Sequence, residues 1–327
     1  MPEPVVSVIV IGRNEAEHLA ALATSLAPLA ARCPIETLYV DSASSDTSVA
    51  VARTCFDVVA ELIPDSHLNA SAGRWIGTQL ARGRWLLFLD GDMTLCSPFV
   101  AAVEAHVREQ AGVGLVGAYR YLYQDGGEKR LNFSRDDGGT VRAFGGCVML
   151  PREVLADGGW DPRLFANEEI ELYTRLRARG IRVKGTCEPM VLHHTERIDP
   201  LVMLRSLVIR RDSVLGKKFD GIGHVLAARV RAGTLVSFAR WYPEPFILWG
   251  GLCAALLAGL TGQWRVALGL AVAVVGIVSW RKGPKFVLVY LSFAVQAVYG
   301  WRTFRPEWRP QLLRTWRRNA GGPSGHD

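Results

Sequence analysis

The sequence lacks the signatures of several common protein classes. Its six cysteines are scattered, and no two stand at CxxC spacing. Neither a disulfide framework nor a zinc site is indicated, and the thiols read as buried groups in a reducing compartment. No GxGxxG follows the first apolar run, where "GRNEAE" offers one glycine and then acids. That disfavours the dinucleotide fingerprint. GxxxxGK(S/T) and HExxH are also missing, which removes P-loop nucleotidases and zinc hydrolases of that type. The opening "MPEPVVSVIVIGRNE" has no basic n-region or long apolar core, so the first domain is expected in the cytoplasm. The net charge of +7 raises the question of nucleic acid. No zinc-finger, helix-turn-helix or RNA-reading aromatic pattern accompanies it, and a membrane surface explains the charge more economically.

The first 90 residues alternate between apolar runs and helical stretches. "VVSVIVI", "IETLYVD", "FDVVAEL" and "RWLLFLD" read as buried strands. Residues 16–31, the segment after "SASSD", and "LNASAGRWIGTQLARG", capped by Asn69, read as the intervening helices. This β-α alternation predicts a doubly wound, mostly parallel sheet with right-handed crossovers. Ligands of such sheets bind beyond the carboxyl ends of the strands. Three polar clusters fall there: Arg13-Asn14-Glu15, Asp41 with Asp46, and Asp90-Gly91-Asp92. Each is also compatible with ordinary turn chemistry. The sheet brings all three to one rim.

Asp90 and Asp92 flank a single glycine at the end of "LLFLDGD". In extended backbone they would point to one side and share a hard cation, Mg²⁺ or Mn²⁺. Gly91 would let a bulky ligand approach. "VSVIVIGRNE", "VDSASSDTS", "SAGRWIGTQLARGRWLLFLDGD" and "FANEEIELYTRLRARGIRV" together resemble the family 2 glycosyltransferases of GT-A fold, of the membrane-anchored bacterial type, over residues 5–195. The resemblance implies a nucleotide-sugar donor bound by Asn14, Glu15, Asp41, Arg74 and Asp90, with Asp41 reading the nucleobase. Ala43 replaces the family's usual glycine. Metal would be held by Asp90 and Asp92, and Gly145-Gly146 would lie beside the acceptor, its backbone amides free to approach a sugar or phosphate, although a plain tight turn accounts for the pair equally well. A histidine of the His193-His194 pair would stand near the metal, with His194 favoured.

Transfer to a hydroxyl needs a base. "NEEIELYTRLRARG" reads as a helix with Asn167 as N-cap and acids in the first turn. The resemblance places the base on Glu169, where the family has aspartate, with Glu168 as rival; Leu172 and Arg175 match the motif. Both glutamates are equally compatible with being helix-start residues and nothing more. The acid pair favours a hydroxyl acceptor on a lipid-linked or glycolipid saccharide. A polyprenyl phosphate acceptor, a nucleotidyltransferase and an inactive membrane-anchored scaffold remain alternatives.

The composition changes near residue 240. Residues 245–264, 266–280 and 286–301 carry no charge. A span needs about 20 residues, which the first run meets and the others approach. The expected organisation is a catalytic domain over 1–198 (nucleotide-sugar half 1–95, acceptor half 96–198), then basic amphipathic interfacial helices over 199–240. A membrane anchor of two or three transmembrane helices follows over 241–303, then a basic tail over 304–327 with a disordered end. The chain is thus expected at the inner membrane, multi-pass, with phospholipid as a partner and its catalytic domain cytoplasmic. A third full span would export an arginine-rich tail against the positive-inside bias, which favours two full spans plus a membrane-associated third.

Overall fold

The computed structural model describes residues 3–109, 112–133, 139–195 and 221–318. Four strands form its parallel half: β1 (Val6–Gly12), β2 (Ile35–Asp41), β3 (Val58–Leu62) and β4 (Trp85–Asp90). Helices α1 (Ala16–Ser25), α2 (Ala27–Ala30), α3 (Ser48–Cys55) and α4 (Ala70–Leu80) connect them. Asn69 caps α4 by accepting from the Ala72 amide at 2.9 Å. Val8, Ile9, Val10 and Leu86–Phe88 are fully buried, as strands covered on both faces require. Each such side chain contributes about 1.5–3 kcal/mol.

Beyond β4 come β5 (Met93–Leu95), α5 (Ser97–Glu109), β6 (Gly114–Tyr123), β7 (Glu128–Leu131), β8 (Val148–Pro151), α6 (Glu168–Ala178) and β9 (Val183–Thr195). With the C-terminal strand β10 (Leu312–Arg317) at one end, the strand order is β10-β3-β2-β1-β4-β8-β6-β9-β5, and β7 pairs to β6. The expectation of a mostly parallel sheet is corrected here. β1–β4 are parallel, but β8 runs against both β4 and β6, and β5 against β9. The β-α-β rhythm stops at β4, and hairpin-type returns such as β6–β7 enforce antiparallel pairing. The sheet reverses direction of growth at β1/β4, and the rim there is where ligands bind.

The basic tail contributes a strand that the sequence did not announce, β10. It pairs antiparallel with β3, Trp316 opposite Val59. It covers an otherwise open sheet edge. The expected disordered end, residues 320–327, lies outside the described residues.

The helical part comprises α7 (Gly221–Arg231), α8 (Leu235–Trp241), α9 (Glu244–Leu260), α10 (Trp264–Lys282) and α11 (Lys285–Thr303). The basic stretch 201–220, with Arg205, Arg210, Arg211, Lys217 and Lys218, lies outside the described residues. α7 does not lie at an interface as expected. Ile222, Val225 and Ala228 are buried with Leu164 and Tyr290 in a second core, and Arg229 reaches Glu171 of α6 at 3.0 Å. α9 and α10 pack as a hairpin, with Gly251 against Val274, and α11 packs on α7, with Gly223 against Gln296 and Gly300.

Among the described residues only α10 is by itself long and apolar enough to cross a membrane. α8 and α9 pass that test only jointly, and they are bent by 101°. The expectation of two or three spanning helices is reduced accordingly. Pro243 follows the end of α8 and leaves α9 with 17 residues. α11 carries Ser292, Gln296 and Arg302. Leu256, Leu257, Leu260, Leu268, Val272 and Trp280 remain exposed on α9 and α10.

Candidate active site

The loops after β1 and β2 brace each other. Ser45 donates its amide to Asn14 Oδ1 at 2.8 Å, and the Asn14 amide donates to Ser44 Oγ at 2.8 Å. The Glu15 amide donates to Ser48 Oγ, and Ser48 in turn donates its amide and hydroxyl to Asp46. Asn14 and Ala43 both adopt left-handed backbone, φ 60° and 59°, a conformation that costs a non-glycine residue about 1–2 kcal/mol. Asp41 is fully buried. Its carboxylate accepts the Ser44 amide at 2.7 Å, the Ser44 hydroxyl at 2.5 Å and the Tyr39 hydroxyl at 3.2 Å. It holds the loop from inside instead of offering a free carboxylate to a nucleobase.

Asp90 and Asp92 part company. Asp90 ends β4, and Gly91-Asp92 form a turn instead of extended backbone. Arg74, 2% exposed, donates Nη2 to Asp90 at 2.7 Å and Nη1 to Glu168 at 2.9 Å, and it lies over the Trp160 ring at 4.9 Å. Burial opposes its charge, but Asp90 and Glu168 outweigh that and raise its pKa. The Gly145-Gly146 pair makes this packing possible. A Cβ on Gly146 would stand 2.0 Å from Arg74 Nη2, and one on Gly145 would stand 2.9 Å from the Tyr119 ring. The glycines make room for protein side chains.

Asp92 Oδ2 meets His193 Nε2 at 3.0 Å, and the β5–β9 register sets Met93 opposite His193. His194, favoured from the sequence, stacks instead on His18 at 5.3 Å, because adjacent strand residues point to opposite faces. Burial works against the His193 charge, yet the Asp92 hydrogen bond and carboxylate raise its pKa. Glu15 lies against Gly91, where a Cβ would meet Glu15 Cγ at 2.7 Å. Burial, then the charges of Asp92 and Asp90, push its pKa up to about 7.

Among the described residues no group of three or more His, Cys, Asp or Glu is spaced as a complete metal cage. The residues still fit a divalent cation of the Mg²⁺ kind, which is commonly held by one or two carboxylates plus substrate phosphates. Asp92 Oδ1 is buried with no hydrogen-bond partner among the described residues. Asp92, with Asp90 and Glu15 crowded beside it, would hold the ion, and His193 would orient Asp92.

Asn167 precedes α6 in left-handed backbone, φ 63°, and makes no side-chain cap bond. Glu168 and Glu169 are the first two residues of α6, and the helix turn of about 100° per residue points them in different directions. Glu168 is buried on Arg74. Glu169 is half-buried and lines a cavity of about 1110 Å³ walled by the segment 140–144, α6 and the ends of α8, α9, α10 and α11. Burial and then the Glu168 charge push the Glu169 pKa up to about 8, against the pull of Arg74. Sequence reading missed Trp160, His193 as the Asp92 partner, and the helical wall of this cavity. The first two depend on register and long-range packing. The Trp241-Tyr242 pair beside Arg240 was the visible signal for the third.

Residues 7–157 match the family model described as Glycosyl transferase family 2. Glycosyltransferase AglE of Haloferax volcanii is 36% identical over 134 residues, 38% of this chain and 42% of that protein. O-antigen biosynthesis protein RfbC of Myxococcus xanthus is 27% identical over 222 residues, 58% of this chain and 17% of that protein. The chain spans less than half the length of these curated relatives. S. aureus TarS 1–349, solved with UDP-GlcNAc, superposes with a TM-score of 0.52 at 16% identity over 91% of this chain and 89% of that one. Mannosyltransferase PcManGT from Pyrobaculum calidifontis, solved with GDP-Man and Mn²⁺, gives 0.53 at 17% over 91% and 88%. The likeness to these structures is one of fold, a mixed α/β architecture with a central sheet.

Proposed function

We propose that the chain transfers a sugar, with inversion, from a nucleotide-sugar to a hydroxyl of a lipid-linked or glycolipid acceptor at the cytoplasmic face of the inner membrane. The observation that carries this reading is the division of labour within the acid pair. Glu168 is locked to Arg74, while Glu169 opens on a cavity whose far wall is the apolar helical part. A donor half up to residue 95 and an acceptor half from 96 follow from it.

In this reading the donor lies along the β1–β4 rim, over the loop braced by Asn14 and Asp41. Arg74 fixes Asp90, and His193 fixes Asp92. When bound there, Mg²⁺ or Mn²⁺ would neutralise charge on the departing nucleoside diphosphate. Glu169 takes the proton from the acceptor hydroxyl as its oxygen bonds to the anomeric carbon. The bond from that carbon to the diphosphate breaks on the opposite face, and inversion results. A general base works best with a pKa near the operating pH, and the position of Glu169 supports that role. Basic side chains lining the same cavity favour a second reading, in which a polyprenyl phosphate is itself the nucleophile and needs no base.

The exposed leucines and valines of α9 and α10 support membrane contact. β10 pairs with β3, so the segment after α11 lies on the catalytic side. This supports an even number of crossings, and in this reading a hairpin of α9 and α10 enters the bilayer and returns. Turnover of a panel of UDP-, GDP- and dTDP-sugars with Mn²⁺, with anomeric configuration read by NMR, tests the reading. Products of retained configuration, or nucleotidyl instead of glycosyl products, would overturn it. Absence of both turnover and nucleotide binding would leave the scaffold alternative.

A further inference from the structure

The cavity before Glu169 is far larger than one hydroxyl needs, and its wall has an unusual chemistry. Arg142, Arg177, Arg240, Arg281 and Lys282 line it, against only Glu169 and Glu244 as acids. Glu244 is buried and already engaged by Arg281 at 3.1 Å and Lys282 at 3.9 Å. That leaves Arg142, Arg177 and Arg240 as cations in excess. Arg177 lies over the Trp241 ring at 4.8 Å, and Arg240 is 6.0 Å from it. The Arg177 Nε is buried without a hydrogen-bond partner among the described residues. Guanidinium forks of this kind suit phosphate oxygens.

A second cavity of about 370 Å³ lies among the helices. Its lining is apolar, with Ile222, Leu226, Phe246, Trp249 and Phe293 among its residues. Tyr242 lines both cavities, so the cationic space and the apolar one are neighbours that meet at this side chain. Gly250 also lines it, and a Cβ there would meet nothing within 4 Å.

We propose that the two cavities form one site for the acceptor as a phosphate-bearing amphiphile. Arg142, Arg177 and Arg240 hold its phosphate, its hydrocarbon chain runs past Tyr242 into the apolar cavity, and its hydroxyl reaches Glu169. This rests on the reading of Glu169 as acceptor base and extends it to the recognition of the acceptor's anionic head and tail. The charge selects the head, and burial of the chain supplies non-directional affinity. Free phosphate or a nucleotide shares only the first of these.

The test is direct binding to the full chain in phosphatidylcholine nanodiscs, followed by tryptophan fluorescence. Farnesyl diphosphate, inorganic pyrophosphate and farnesol are the probes. Farnesyl diphosphate is expected to bind at least about tenfold more tightly than either part, since head and tail contribute together. The double variant R142Q/R240Q alters two exposed side chains and so keeps the fold. It should weaken farnesyl diphosphate binding by about tenfold or more through lost charge-assisted contacts. Gly250→Leu fills the apolar cavity and should weaken farnesyl diphosphate while leaving pyrophosphate unchanged. Asp92→Asn, on the donor rim, should leave farnesyl diphosphate binding intact.

Equal affinity for pyrophosphate and farnesyl diphosphate, abolished by Asp92→Asn, would move the anion to the donor rim and overturn the proposal. Equal affinity for farnesol, or binding indifferent to R142Q/R240Q, would do the same. Sugar transfer to a water-soluble saccharide with unchanged KM in R142Q/R240Q, together with no farnesyl diphosphate binding, would remove this site and leave the glycosyltransferase reading standing. Tight farnesyl diphosphate binding that R142Q/R240Q weakens, in a chain that transfers no sugar, would support the site and remove that reading instead.

Discussion

Arg74 and Glu168 form a buried ion pair at 2.9 Å, linking α4 of the parallel half to α6 of the other half across 94 residues of sequence. Asp90 shares the same guanidinium at 2.7 Å. Removing one member of a buried pair leaves an uncompensated charge, which typically costs about 3–5 kcal/mol. Arg74→Ala should therefore destabilise by roughly that amount, and Arg74→Lys by less, because it keeps the charge and loses the fork. Urea unfolding measures both. An Arg74→Ala variant as stable as the parent would show that the pair holds nothing together.

Asp92 carries the buried oxygen with no partner among the described residues. Nucleoside diphosphate plus Mn²⁺ should raise the melting temperature of the parent chain more than the nucleotide alone does, and Asp92→Asn should erase that increment while leaving the shift caused by nucleotide alone. Thermal shift with UDP and GDP is the measurement. An increment untouched in Asp92→Asn would place the ion elsewhere.

Ala43 occupies left-handed backbone at φ 59° and is half-buried. Glycine relieves about 1–2 kcal/mol of strain there and forfeits up to about 0.8 kcal/mol of methyl burial. Ala43→Gly should accordingly raise stability by up to about 1 kcal/mol. Ala43→Val should lower it, because a β-branched side chain tolerates positive φ poorly. A destabilised Ala43→Gly chain in urea unfolding would contradict the strain argument.

β10 covers the β3 edge, with Trp316 packed on the core and Arg53 4.8 Å from its ring. Truncation after Arg309 should lower stability and promote aggregation through the opened edge. In oriented vesicles, a cysteine-reactive probe should reach a cysteine placed at Arg318 from the same side as one placed at Glu128. Labelling from opposite sides would contradict the paired strand and the even number of crossings.

The parallel quartet was legible because each strand is a short apolar run ending in polar residues, as "LLFLDGD" does. The rim clusters were legible for the same reason. What the sequence hid depends on partners far along the chain. The choice between His193 and His194 follows from the register of β9 on β5. The Gly145-Gly146 pair serves the packing of Arg74 and Tyr119, which sequence spacing does not reveal. "LLRTWR" looks like a basic tail because an edge strand exposes most of its side chains. The distinct duties of Glu168 and Glu169 depend on which side of α6 packs on Arg74, a long-range contact that local sequence does not reveal.

The decisive experiment is the pH dependence of sugar transfer by the parent chain, Glu169→Gln and Glu168→Gln, with stability recorded in parallel. Burial and the Glu168 charge push the Glu169 pKa up to about 8, so parental turnover should rise with pH through that value as the base form appears. A carboxyl raised in the folded state contributes full stability below its unfolded pKa and loses it as pH climbs through the folded pKa. Glu169→Gln should therefore be at least as stable as the parent at pH 9, while its turnover falls by about 10²-fold or more and loses the pH limb. Glu168→Gln should lose stability through Arg74 and keep the limb, moved to lower pH because the Glu168 charge no longer raises the Glu169 pKa. A Glu169→Gln enzyme with near-parental turnover and an unchanged pH profile would contradict the assignment of the base and move the acceptor toward a phosphate nucleophile.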